Sequence, residues 1–289
     1  MQRPVWWLRL AAALPLSALY ALATFIGWAT YRAFPYREHV VRENLGIAFP
    51  ELDEAALRTL IRRYYANFAQ VLVEIVKAVS LPAETLSAHV AIANIELVRA
   101  PLAAGTPVLI VAAHQCNWEW VLLALAHELG YPLDAAYKPL VNPWAEREML
   151  KLRSRFGSRL VPADLLLADI LQRRQIVRAI CMVADQEPTK SEHKYWTRFL
   201  NRDTAFFLGT EEIARVTRYP VFFAAMRRTA RGRYVIQFSS LATAGETMAA
   251  GALTERYARL VEAQIRDSPP DWPWSHKRWR LKKSLYAGR

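Results

Sequence analysis

A chain of 289 residues, 53% of them apolar and with ten tryptophans and twelve tyrosines, is long enough for one large domain with a sizeable core. Its formal charge of +12 points to acidic partners, but the cations are spread along the chain and no RNA-binding signature, zinc-finger spacing or basic zipper accompanies them, so nucleic acid is not expected. Two cysteines, Cys116 and Cys181, make no C-x-x-C pair and no disulfide framework, which fits a reducing compartment.

Leu10 to Thr30 carries no charge and is interrupted only by Pro15 and Gly27, with Trp6, Trp7, Trp28 and Tyr31 at its flanks. That pattern predicts a membrane-associated helix, just long enough to span a bilayer core and alanine-rich enough to lie in the interface instead. Arg3 and Arg9 precede it and Arg32, Arg37 and Arg42 follow, so charge sets no orientation. Ala21-Leu22-Ala23 resembles a signal-peptide cleavage site, but the apolar run continues past it, and a retained anchor over residues 1–35 is the expectation.

Asp53 is placed to cap an amphipathic helix whose apolar stripe runs from Leu57 through Tyr64, Tyr65 and Phe68 to Val79, ending at Ser80-Leu81-Pro82. From residue 90 onward short apolar runs alternate with helical patterns. Strands are expected at Val108–Ala113, Pro132–Tyr137, Ile176–Val183, Val221–Met226 and Tyr234–Ser239. Helices are expected at Ile95–Ala104, Glu119–Leu129, Ala145–Phe156, Asp164–Arg173, Thr210–Thr217 and Thr254–Asp267. Such alternation predicts an α/β fold with a mostly parallel sheet flanked by helices. The expected organisation has three parts: the anchor over 1–35, a helical part over 36–90, and an α/β core over 91–289.

The run Val108–Ala113 ends abruptly in His114, and Glu119 follows within the first turn of the helix that Asn117 can cap. A histidine where a strand hands over to a helix occupies a common position for catalytic groups in α/β folds. On one regular helix five residues turn about 500°, so His114 and Glu119 would share no face. They meet only if the histidine is in the turn, where the carboxylate would polarise the imidazole as a general base. A satisfied core histidine and a dipole-favoured glutamate fit the same spacing.

Several ordered blocks then carry a resemblance. Tyr36-Arg37 and Val40–Leu45 with Phe49-Pro50 follow the anchor. His114 to Glu119 comes next, then Tyr137-Lys138-Pro139 with Asn142-Pro143, Arg153 and Gly157. Asp185-Gln186, Trp196, Phe199–Asn201, Asp203-Thr204 and Gly209-Thr210 follow, and Trp272–Trp279 closes the set. In order and spacing this chain resembles the bacterial lipid A biosynthesis acyltransferase family, a branch of the glycerolphosphate-acyltransferase-like folds, over nearly its whole length. Pro270-Asp271 stands where that family often has an acid-Gln pair, and the Phe199–Thr204 block looks like a divergent branch.

The resemblance implies acyl transfer from an acyl carrier protein thioester to a hydroxyl of a membrane glycolipid of the lipid A precursor type, at the cytoplasmic face of the bacterial inner membrane. Another acceptor, such as a lysophospholipid, aminolipid or pigment precursor, or a non-catalytic binding protein on the same fold, are the alternatives. His114 and Glu119 would be the catalytic dyad. Arg153 and Lys138 are candidates for the oxyanion or an acceptor phosphate, and Asn117, Asp185, Gln186, Thr204 and Gly209 are further substrate-binding candidates. His276, Lys277, Arg278 and Arg280, interleaved with tryptophans, are expected to meet anionic lipid or the acidic carrier. The other histidines show no ligand spacing, and neither a metal nor a cofactor is expected.

Overall fold

The computed structural model describes residues 5–189 and 193–283; Arg3 and positions 284–289 of the expected domains lie outside the described residues. Five helices come first: α1 (Trp6–Ala13), α2 (Leu16–Arg32), α3 (Glu38–Ala48), α4 (Glu54–Ala78) and α5 (Ala83–His89). The alternating part runs β1 (Val90–Ile92), α6 (Glu96–Ala103), β2 (Val108–Ala112), α7 (Trp118–Glu128), β3 (Leu133–Tyr137), α8 (Pro143–Arg153), β4 (Arg159–Pro162), α9 (Leu166–Gln172) and β5 (Ala179–Val183). A hairpin of β6 (Lys194–Phe199) and β7 (Arg202–Phe207) follows. After it come α10 (Gly209–Thr217), the long pair β8 (Val221–Ala230) and β9 (Arg233–Ala242), and α11 (Ala252–Asp267).

Seven strands form one sheet in the order β1-β9-β8-β2-β5-β3-β4, and β6 with β7 forms a separate two-stranded ribbon. Every neighbouring pair in the large sheet is parallel except β8 with β9, so the mostly parallel α/β fold expected from the sequence is present. All five residues of β2 are buried, as a central strand covered on both faces requires. Its side chains alternate between two cores. Leu109 and Val111 join the cluster built with α3, α4 and α11, which includes Leu45, Ile61, Val261 and Trp272. Val108, Ile110 and Ala112 join the opposite cluster, with Leu86, Leu102, Trp120 and Leu123. The edge strands β1 and β4 and the β6–β7 hairpin are additions to the expected strands. They are short or amphipathic, and their pairing depends on neighbours far away in sequence.

The N-terminal segment corrects the sequence reading. Leu10–Thr30 is not one helix: Leu14 and Pro15 both take extended backbone between α1 and α2. The proline ring clashes with a helical residue before it and supplies no N–H for the ladder. The axes bend by 105° at this break, and among the described residues no single helix is long and apolar enough to cross a membrane. The inner face of α2 packs Leu19, Tyr20 and Ala23 on Ala69 and Val73 of α4. Gly27 allows the close approach, since a Cβ there would lie 3.1 Å from the Ala66 Cα. On the outer face Phe25 is 63% and Trp28 58% exposed.

Asp53 caps α4 as its position suggested, its Oδ1 accepting the Ala56 N–H at 2.7 Å. Asp53→Ala is expected to lower stability by about 1 kcal/mol in urea unfolding, the usual cost of a lost N-cap; an unchanged midpoint would show that packing of α4 makes its cap dispensable.

Candidate active site

The site lies at the C-terminal edge of the sheet, where β2 and β5 leave it side by side. Their parallel register pairs Ala112 with Val183. Two residues further along each chain, the same offset sets His114 opposite Asp185. The His114 Nδ1 lies 2.6 Å from Asp185 Oδ1, and the His114 backbone N–H donates to the same oxygen at 3.1 Å. Asp185 Oδ2 accepts the Trp272 indole N–H at 2.9 Å. Tyr257 of α11 ties the two strand ends together: its hydroxyl donates to the Ala112 carbonyl at 2.8 Å and accepts the Ala184 N–H at 3.3 Å.

Asp185 is buried. Burial is the largest single influence on its carboxyl and pushes upward. The charge and ring N–H of His114, the Trp272 indole and the His114 backbone together outweigh it and hold the carboxyl below its ordinary range. An ionised Asp185 at this distance fixes the proton of a neutral imidazole on Nδ1, which leaves Nε2 as the basic lone pair. The imidazole side chain is 20% exposed, so a substrate atom can reach it, and its ring meets the Trp118 ring edge-on at 5.3 Å between centroids.

Glu119 is placed differently from its expected role. Its carboxylate does not hold the imidazole but is gripped by Arg153, Nε to Oε2 at 2.9 Å and Nη2 to Oε1 at 2.6 Å. The reason is local geometry: Glu119 sits in the first turn of α7 and points towards the last turn of α8, while Asp185 already occupies the Nδ1 side of His114. Trp118 lies between the two pairs, its indole N–H donating to Glu119 Oε1 at 3.1 Å. Burial works against the Arg153 charge, but Glu119 more than compensates and raises its pKa. The site therefore holds two carboxylate-anchored side chains, His114 on Asp185 and Arg153 on Glu119, with one tryptophan touching both pairs.

The other sequence candidates separate into site-facing and structural groups. Lys138 follows β3 and its ammonium stands 5.9 Å from the centre of the Phe207 ring. Gln186 is exposed next to Asp185. Asn117 is buried and serves the fold: its oxygen caps α7 through the Trp120 N–H at 3.1 Å, and its amide donates to Glu74 at 2.9 Å. Thr204 is also buried, and its hydroxyl accepts the Trp279 indole N–H at 2.8 Å. Gly209 starts α10 where a Cβ would fall 2.1 Å from the Phe207 ring, so its role is steric.

The C-terminal basic cluster needs the largest correction. Arg278 is not a surface cation: it is buried, donating to the Asp185 carbonyl at 2.6 Å and to the Ala205 carbonyl at 2.6 Å, and burial pushes its pKa down to about 10. His276 is partly buried, and burial followed by the charge of Arg278 lowers its pKa, so it carries little charge at neutral pH. Arg280 is exposed and paired with Glu187 at 3.0 Å, and Lys277 is exposed. This segment braces the site from behind. Trp272, Arg278 and Tyr257 are the supporting residues that spacing alone could not assign, although Trp272 and Arg278 stand inside a block dense enough in tryptophan and arginine to have flagged it.

Comparisons with known proteins point to one family. A family model described as bacterial lipid A biosynthesis acyltransferase matches residues 4–281. The lipid A biosynthesis palmitoleoyltransferase of Escherichia coli (strain K12) is 21% identical over 277 residues, covering 94% of this chain and 90% of that protein. The lipid A biosynthesis acyltransferase of Shigella flexneri is similar to the same extent, 21% over 277 residues.

The depressed Asp185 carboxyl makes a signed prediction. A carboxyl held lower in the folded state stabilises the fold above its unfolded pKa of about 4, and that contribution disappears as pH falls through the folded value. Urea unfolding of wild type and Asp185→Asn should therefore differ most near neutrality and converge as pH falls below about 4. A difference independent of pH would mean that Asp185 is not held ionised by its partners.

Proposed function

The chain belongs to the bacterial lipid A biosynthesis acyltransferase family, and from that membership we propose that it moves a fatty acyl chain from an acyl carrier protein thioester to a hydroxyl of a lipid A-type glycolipid, with His114 as the base and Asp185 as its carboxylate. The observation that carries this reading is the 2.6 Å contact between His114 Nδ1 and Asp185. With Nδ1 held, Nε2 takes the proton of the acceptor hydroxyl while that oxygen attacks the thioester carbonyl. Asp185 stabilises the imidazolium so formed. Collapse of the tetrahedral intermediate breaks the carbon–sulfur bond, and the imidazolium returns its proton to the departing thiolate. The acceptor hydroxyl is itself the nucleophile, so the sequence of steps passes through no acyl-enzyme.

Arg153 is the cation assigned to the developing oxyanion or to an acceptor phosphate. Glu119 supports this by fixing the guanidinium bidentately, which leaves its orientation little freedom. Lys138, at the adjacent strand end, is a second candidate for acceptor phosphate. Expected losses follow from general-base catalysis, which contributes about 10²–10⁴-fold. His114→Ala and Asp185→Asn should each lower kcat by about that range with an acyl-loaded carrier and a lipid A precursor, measured by mass spectrometry of the product. Wild-type turnover in either variant would overturn the assignment.

We further propose that the protein works at the cytoplasmic face of the inner membrane, with α1 and α2 lying in the interface. Outward aromatic residues on two bent helices, with Arg9 and Arg32 beside them, suit an interface better than a bilayer crossing. Full-length protein should sediment with vesicles containing anionic phospholipid, and Phe25→Ser with Trp28→Ser should release most of it. Equal sedimentation of the double variant would sink the interfacial assignment.

A further inference from the structure

Glu74 of α4 is fully buried, yet no step of the proposed acyl transfer uses it. Its carboxylate accepts hydrogen bonds from three separate elements. Tyr20 of α2 donates its hydroxyl at 3.0 Å, Asn117 its amide at 2.9 Å, and Tyr234 of β9 its hydroxyl at 2.7 Å. The Glu74 backbone carbonyl accepts the Trp120 indole N–H at 3.2 Å. Burial pushes the carboxyl up against the pull of Arg228 and the three donors, and such a group is retained at a cost in stability.

The donors divide into two directions. On one side Tyr20 is locked in place: a Cβ on Gly232 would meet its hydroxyl at 1.9 Å, and Arg231 lies over its ring at 5.8 Å. The helix that carries Tyr20 also carries the outward Phe25 and Trp28. On the other side Asn117 uses both ends of one amide, the nitrogen on Glu74 and the oxygen as the cap of α7. Between Asn117 and His114 the chain is strained, with Cys116 at φ 53°, a left-handed conformation disfavoured for any side chain except glycine. Cys116 is pinned there by its N–H donating to the Asp271 carbonyl at 2.9 Å. Gln115 beside it donates its amide to the Gln264 and Ser268 carbonyls, each at 3.1 Å, so only two residues, both held, separate Asn117 from His114.

We propose that Glu74 is a positioning residue, which through Asn117 sets the place of His114 and through Tyr20 links that place to the seating of α2, the helix with the apolar outer face. The effect on turnover rests on the acyl-transfer reading above; the link between α2 and the His114 turn is mechanical and can be read without it.

The test compares full-length wild type, Tyr20→Phe, Glu74→Gln and the double variant, with a lauroyl-loaded carrier and a lipid A precursor in detergent micelles. Thermal melting and hydrogen exchange of residues 114–120 are read on the same samples. Each single change should lower kcat about 10-fold or more, as small misplacements far from the chemistry do, with KM for the carrier within about 2-fold. The double variant should lose no more than Glu74→Gln alone, because both act along one route. Exchange in 114–120 should speed up in Tyr20→Phe, although the changed residue is on α2. Losses that multiply in the double variant, or a lower melting temperature with unchanged kcat in the folded protein, would overturn the proposal and leave a structural clamp. Tyr20→Phe removes one hydroxyl and decides the matter if Glu74→Gln does not fold. A wild type without transfer would sink the acyltransferase reading alone, while unchanged exchange in Tyr20→Phe would sink the coupling alone.

Discussion

Everything at this site depends on one hydrogen-bonded contact, the His114 imidazole against the buried Asp185 carboxylate. Neither side chain reaches far, so the contact exists only because β2 and β5 are adjacent, parallel and in a register that ends both strands together. A slip of one residue would turn the whole face of either strand the other way. Tyr257 bonds to both strand ends and fixes their spacing. Trp272 and Arg278 occupy the remaining polar atoms around Asp185. A buried carboxylate left with fewer partners would be protonated or expelled, and the imidazole would lose its tautomer.

The same dependence explains why the C-terminal segment is rich in tryptophan and arginine. Trp272 and Trp274 are buried and pack edge-on at 4.8 Å between centroids. Asn44 of α3 holds the Trp274 carbonyl, and Tyr64 of α4 bonds Ser275. Residues at the two ends of the chain thus close over the sheet edge from which His114 and Asp185 emerge. The His114–Asp185 geometry is set by a strand register, and aromatic packing covers the sheet edge that carries it.

Much of this was legible in the sequence, and the limits have physical causes. The strand before His114, the caps at Asp53 and Asn117, and the alternation that makes a parallel sheet are local properties, visible in periodicity and side-chain chemistry. The partner of His114 was not: Glu119 is near in sequence, whereas Asp185 is near only through strand register, which no local pattern encodes. Arg278 was misread because a basic residue among tryptophans looks alike whether it faces lipid or turns inward to backbone carbonyls. Pro15 was visible, and its effect on the residue before it was the sign that Leu10–Thr30 would break. Glu74 carries no local sequence signal, and only the folded chain brings Tyr20, Asn117 and Tyr234 to it.

The central claim is that Asp185, not Glu119, sets the protonation of His114. The most direct measurement is nitrogen-15 NMR of the His114 imidazole above its pKa, in wild type, Asp185→Asn and Glu119→Gln. The account predicts a proton on Nδ1 and a bare Nε2 in wild type and in Glu119→Gln, with that tautomer lost in Asp185→Asn. A tautomer that survives in Asp185→Asn and is lost in Glu119→Gln would contradict it.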